Sequence, residues 1–233
     1  MFYHYYFDPT YLLIIIGVLL SLLASARLKS TYAKYSRVRS RTGMTGAQVA
    51  ERLLHAEGIY DVRIEHISGN LTDHYSPKEK VLRLSDGVYN STSVAAIGVA
   101  AHECGHAVQH KENYVPLKIR GSMVPAVNIG AQLSWPLIFI GIIFGSAGFL
   151  VQLGILLFSL TVLFQLVTLP VEFNASSRAL KALERHNILY SEEAKSTRKV
   201  LKAAALTYVA AAAASILQLL RLLLLFGGRR NDD

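Results

Sequence analysis

From Gly121 to Val171 the chain carries no Asp, Glu, Lys or Arg, a stretch of fifty-one residues. A single α-helix of that length would run about 75 Å, against a hydrocarbon layer of about 30 Å in a bilayer. The stretch must therefore fold back, and Gly145-Ser146-Ala147-Gly148 supplies the small residues for a hairpin. Two membrane spans result, near 122–144 and 149–170. Apolar runs at 11–26 and 203–226 flank them. The second of these is interrupted only by Arg221, close enough to the helix end to snorkel to the far surface. With 52% hydrophobic and 17% charged residues, pooled into runs of this kind, the composition is that of a membrane protein.

The rival reading of the first run is a cleaved signal peptide, because Ala24-Ser25-Ala26 has the small-x-small form of a cleavage site. Signal peptides carry their positive charge ahead of the apolar stretch. Here Arg27, Lys29, Lys34, Arg37, Arg39 and Arg41 all follow it. The run reads as a retained span with the N-terminus outside. Four spans then place 27–120 and 172–202 on one side, which collects nearly all basic loop residues. Only Arg229 and Arg230 fall on the other, so the first side is expected to be cytoplasmic. In that setting the formal charge of +8 reads as basic loops on the cytoplasmic side, and the basic segment 27–41 points to anionic lipid, with no nucleic-acid partner expected. The lone Cys104 excludes an internal disulfide and fits a reducing face.

Residues 42–120 are mixed in composition. Thr45 with Gln48 three positions on forms a capping box for a helix to about His55. Val62–Ile67 and Lys80–Ser85 have strand character, separated by a turn-rich Ser68–Pro77 segment. Asn90 to His110 reads as one helix with Asn90, Ser91 or Thr92 as cap. The expected organisation is an N-terminal span (1–26), a cytoplasmic part (27–120), a membrane hairpin (121–171), a charged helical segment (172–202), and a last span with its tail (203–233).

His102-Glu103-Cys104-Gly105-His106 fits H-E-x-x-H. Residues four apart on a helix lie about 40° apart around the axis, so both imidazoles face one point and can share a zinc ion at about 2.0–2.1 Å. Glu103, beside the first ligand, is placed to act as general base toward water whose pKa the metal lowers toward about 7. The bland alternative is a buried helix with two hydrogen-bonded core histidines. A catalytic zinc takes a third protein ligand. His110 is eight residues and about 12 Å from His102 along the helix, and Ala107-Val108-Gln109 offers no glycine turn to bring it back. The first acidic residue after the fold-back is Glu172, which the two-span hairpin returns to the face of His102 and His106. Its competing reading is a Glu that only marks the end of a span.

His102–His106 together with Glu172-x-x-Ala175 resembles the gluzincin membrane proteases of the CAAX-prenyl-protease and HtpX type. Over nearly the whole chain the sequence is similar to the YugP-type family of neutral zinc metallopeptidases of bacterial membranes, including Ser93-Val94-Ala95-Ala96 and Asp73-His74-Tyr75. The resemblance implies a mainly α-helical membrane protein with about four transmembrane helices and a small zincin-like cytoplasmic unit containing a short sheet. It further implies a zinc endopeptidase of the bacterial plasma membrane. His102, His106 and Glu172 would be its ligands and Glu103 its base. Ser176 stands where the wider group has an Asp, which weakens the expected support of a ligand histidine.

His74 and Tyr208 are further candidates for contact with substrate or oxyanion. For His74 the plainer reading is a local hydrogen bond beside Asp73, and for Tyr208 an interfacial tyrosine. Cys104 lies off the direction shared by the two histidines. Expected substrates are membrane-associated proteins or peptides, and the strands at 62–67 and 80–85 offer a candidate edge for an extended chain. Oligomeric state is not legible. A non-catalytic zinc-binding membrane scaffold is the alternative from another class, though it would have no use for Glu103.

Overall fold

A computed structural model describes residues 8–145 and 148–227. The elements in order are α1 (Tyr11–Tyr35), α2 (Gly46–Ala56), β1 (Arg63–Ile67), β2 (His74–Ser76), β3 (Val81–Ser85), α3 (Val94–Lys111), α4 (Val115–Ile143), α5 (Gly148–Arg185) and α6 (Ser191–Phe226). By length and composition α1, α4, α5 and α6 can each cross a membrane. They run past the apolar stretches: α1 continues to Tyr35, and α5 passes unbroken through Val171 into the charged residues beyond. Of the proposed hairpin turn, Ser146 and Ala147 lie outside the described residues, as do Arg229 and Arg230.

The chain divides into two compact units, one of Met1–Leu23, Arg120–Val167 and Tyr208–Asp233, the other of Ala24–Ile119 and Thr168–Thr207. In the first, α4 and α5 run antiparallel at close range. A Cβ on Gly154 would stand 2.7 Å from the Ser134 carbonyl oxygen, and one on Gly130 would stand 3.2 Å from that of Leu157. Ile138, Val151, Ile155 and Leu222 form a small buried cluster, while Leu22, Ile143 and Phe149 are exposed. So much exposed apolar side chain suits contact with lipid. Arg221 lies 3.9 Å from the Asp8 carboxylate with its guanidinium over the Tyr11 ring.

The second unit holds the larger core. Thr45 caps α2 with the reciprocal Gln48 bond expected from sequence. Val49, Leu53 and Leu54 of α2 bury against Val94, Ile97, Ala100, Ala101 and Cys104 of α3, with Leu183 and Ile188 joining from the α5 end. The sheet order is β1-β3-β2, with β1 parallel and β2 antiparallel to β3. Two expectations are corrected here. The Ser68–Pro77 segment is not all turn, because it contains β2. The strand at 81–85 is central and offers no edge; the free edges belong to β1 and β2. The cap of α3 also shifts, from Asn90–Thr92 to Ser93, whose Oγ accepts from the Ala96 N–H. The cause is an extended pairing of 38–40 with 92–94: Ser40 N–H bonds the Thr92 carbonyl and Val94 N–H the Val38 carbonyl. Extended backbone at 92–93 cannot also be helix.

Candidate metal centre

The small residues of α3 set how closely other helices approach it. A Cβ on Gly98 would meet Thr197 Cγ2 of α6 at 2.6 Å, and Thr197 Oγ1 donates to the Val94 carbonyl across the same contact. Two turns further, a Cβ on Gly105 would stand 2.6 Å from the Ala175 carbonyl oxygen of α5. Gly105, a spacer of H-E-x-x-H, and Ala175, the residue that closes Glu172-x-x-Ala175, thus meet where α3 and α5 touch.

That contact brings His102, His106 and Glu172 together, with one ligand atom from each lying within 4.8 Å of the others. Glu172 Oε2 is 3.2 Å from His102 Nε2 and 3.6 Å from His106 Nε2. Donor atoms around a tetrahedral zinc at about 2.0–2.1 Å stand roughly 3.3 Å apart, so spacing and donor type both fit this ion. Glu172 is only 3% exposed. Burial opposes a charged His106, yet hydrogen bonding to Glu172 and the charges of Glu103 and Glu172 outweigh it and hold the imidazole above its ordinary range. Two imidazoles around a buried carboxylate thus form a site that favours positive charge.

Both histidines are held from behind. Ser176 Oγ lies 3.1 Å from His102 Nδ1. His106 Nδ1 lies 3.0 Å from Gln109 Oε1. The Gln109 amide donates to the Val171 carbonyl and to Asn174 Oδ1, each at 2.9 Å, so its oxygen must face the imidazole. His106 therefore carries a proton on Nδ1, and its Nε2, the nitrogen that points at Glu172, is the one available to a metal. Asn174 is fixed in turn by Arg178 Nε at 2.7 Å, and Arg178 pairs with Glu112 at 2.7 Å. Gln109 is the residue bonded to the cluster that sequence reasoning passed over. Its one signal was a polar side chain three positions beyond a motif histidine, on a face that proves fully buried.

Glu103 is buried, and its Oε2 accepts the Tyr75 backbone N–H at 3.0 Å. The edge strand β2 thereby fixes the carboxylate and leaves Oε1 outside that bond. The Tyr75 phenol, pushed up to about 12 by burial and the charge of Asp61, stays protonated and bonds His110 Nδ1 at 2.8 Å. His110 is outside the metal cluster, tied to β2.

His74 is exposed and bonds the Thr72 carbonyl at 2.9 Å, not Asp73. Asp73 is taken by the N–H and hydroxyl of Ser85. Cys104 is buried toward α2, its thiol 3.6 Å from the Ala50 carbonyl and raised in pKa by burial, which leaves it inert. Tyr208 lies on α6, and belongs to the other compact unit.

Residues 10–227 match a family model described as "Putative neutral zinc metallopeptidase". The chain is also 49% identical over 191 residues to the "Putative membrane protease YugP" of Bacillus subtilis (strain 168), an alignment covering 82% of this chain and 84% of that protein. No solved structure matches the chain.

Proposed function

The chain belongs to the family of putative neutral zinc metallopeptidases, and from that premise we propose that it is a multi-pass membrane endopeptidase of the gluzincin type. Its ligands are His102, His106 and Glu172, and its general base is Glu103. The observation that carries this reading is the convergence of two imidazole Nε2 atoms on one buried oxygen of Glu172, with an acidic residue next to the first of them. Bound there, zinc would polarise the scissile carbonyl and acidify the attacking water. Glu103 takes the proton of that water on the oxygen not engaged by Tyr75 and delivers it to the leaving amine. Gln109 and Ser176 keep the two rings turned toward the centre and fix their tautomers. An extended substrate lies along the outer edge of β2, beside Glu103, where the Tyr75 N–H is taken by the carboxylate and the remaining outward backbone groups give register without sequence preference.

By the distribution of Lys and Arg, the catalytic unit faces the cytoplasm. Glu172 directly follows an apolar span on α5, and this favours substrates anchored at the bilayer surface. Metal analysis of the purified protein beside Glu172→Ala tests the centre. About one equivalent of zinc is expected in the wild type and little in the variant, with hydrolysis lost alongside. In the same assay the wild type is expected to cleave a membrane-anchored peptide faster than its soluble form. Full zinc in Glu172→Ala would remove the third ligand; equal rates on the two peptides would remove the surface preference.

Gln109 gives a separate test of the orienting shell. Gln109→Leu removes the acceptor for the His106 Nδ1 proton, and is expected to weaken zinc binding roughly 10–100-fold, the usual range for loss of such a partner. Competitive titration with a zinc chelator measures it. An unchanged affinity would mean that the amide only fills space.

A further inference from the structure

Within the second unit, α1, α5 and α6 enclose an open cavity of about 520 Å³ that the peptidase reading does not use. Its lining is graded. Phe173 and Leu206, both exposed, lie nearest the uncharged stretches of α5 and α6. Further along the same helices come Lys181 and Lys202, and Arg27 joins from α1. At the far end Arg198 lies 3.5 Å from Glu184. Among the described residues, no carboxylate stands within ion-pair distance of Arg27, Lys181 or Lys202.

We propose that this cavity seats one anionic phospholipid, with the headgroup phosphate among Arg27, Lys181 and Lys202 and the first acyl carbons against Phe173 and Leu206. Charge complementarity selects the headgroup. After the Glu184–Arg198 pair is set aside, the lining keeps three positive charges, which attract the single negative charge of a phosphodiester, whereas a zwitterionic headgroup brings a cation of its own into the same seat. Polarity along the helices selects the amphiphile. An ion without a tail would leave the apolar end unused, and a peptide would have to place one anion beside two greasy side chains. The orientation also follows, because the apolar end is the one from which α5 and α6 lead into their membrane stretches. Ser176 lines the same cavity and bonds His102, so the lipid and the metal cluster share a side chain.

Native mass spectrometry of the full-length protein tests this without any reference to turnover, so its failure is separate from failure of the peptidase reading. The protein is reconstituted in phosphatidylcholine vesicles containing a minor fraction of phosphatidylglycerol, extracted in mild detergent, and scored for retained lipid. One phosphatidylglycerol per chain is expected, in preference to phosphatidylcholine. The triple variant Arg27→Gln/Lys181→Gln/Lys202→Gln is expected to lose that preference by roughly tenfold or more, since each basic residue near an anionic headgroup is worth about fivefold. A control triple, Lys29→Gln/Lys34→Gln/Arg37→Gln, removes the same charge from the last turns of α1 and the turn that follows it, none of it lining the cavity, and is expected to retain the lipid. Equal retention by wild type and lining variant would overturn the seat. Equal loss in both triples would also overturn it, in favour of diffuse surface charge. Displacement of the lipid by millimolar inorganic phosphate would overturn the claim that the tail matters. Leu206→Gln, which keeps every cation, is expected to weaken retention as well; unchanged binding there would count against the apolar end.

Discussion

Glu103→Gln is expected to leave zinc binding intact and to lower peptide hydrolysis by roughly 10²–10⁴-fold, the usual contribution of a positioned general base. The variant is close to isosteric, and the amide oxygen of Gln still accepts the Tyr75 N–H that now holds Oε2. Glu103 is not one of the clustered ligand groups, so its charge is not needed to hold the ion. What disappears is basicity at the oxygen facing the reaction. The comparison therefore separates an enzyme from a zinc-binding scaffold, which has no use for a carboxylate here. The measurement is kcat/KM on a membrane-anchored peptide together with metal content of the same preparation. Full zinc with unchanged turnover would end the assignment of Glu103, and loss of zinc would recast it as part of the metal-holding shell.

How much of this was legible in the chain differs from residue to residue, for physical reasons. The uncharged stretch from 121 to 171 admits few conformations in a bilayer, so a fold-back could be read without any structure, and α4 and α5 do run antiparallel. The i,i+4 histidines and Glu172 could be read because each reports a local or span-level constraint. The strand β2 could not. It is three residues long, sits among turn residues, and exists because β3 offers it a partner. The α3 cap moved to Ser93 because chain more than fifty residues upstream pairs with 92–94, a contact that no local pattern encodes. Gln109 shows the same limit more sharply. A glutamine on a helix reads as solvent-facing, and its meaning here comes from Val171 and Asn174, more than sixty positions away. Ser176 was legible as a departure from a pattern, but its hydrogen bond to His102 needed α3 and α5 to be in contact.

That contact is also where the largest structural effect is expected. Gly105→Ala adds one methyl group to the middle of the zinc motif, on the face that packs against α5. The new Cβ would stand 2.6 Å from the Ala175 carbonyl oxygen and 3.1 Å from its Cα, and both are backbone atoms of a continuous helix that cannot rotate aside. Relief requires α3 and α5 to separate by several tenths of an ångström at the point between His106 and Glu172. Overpacking of this kind costs about 1–3 kcal/mol of stability. A tetrahedral centre tolerates little change in the spacing of its donors, so zinc affinity is expected to fall by more than tenfold even in protein that remains folded. Gly121→Ala on α4 is the matching control, because its Cβ would meet nothing within 4 Å. Thermal unfolding of the zinc-free proteins isolates the packing term, and chelator competition isolates the effect on the ion. If Gly105→Ala binds zinc as tightly as the wild type and unfolds at the same temperature, then α3 and α5 are not held at this distance, and the close approach no longer explains why a glycine stands inside the one motif and an alanine closes the other.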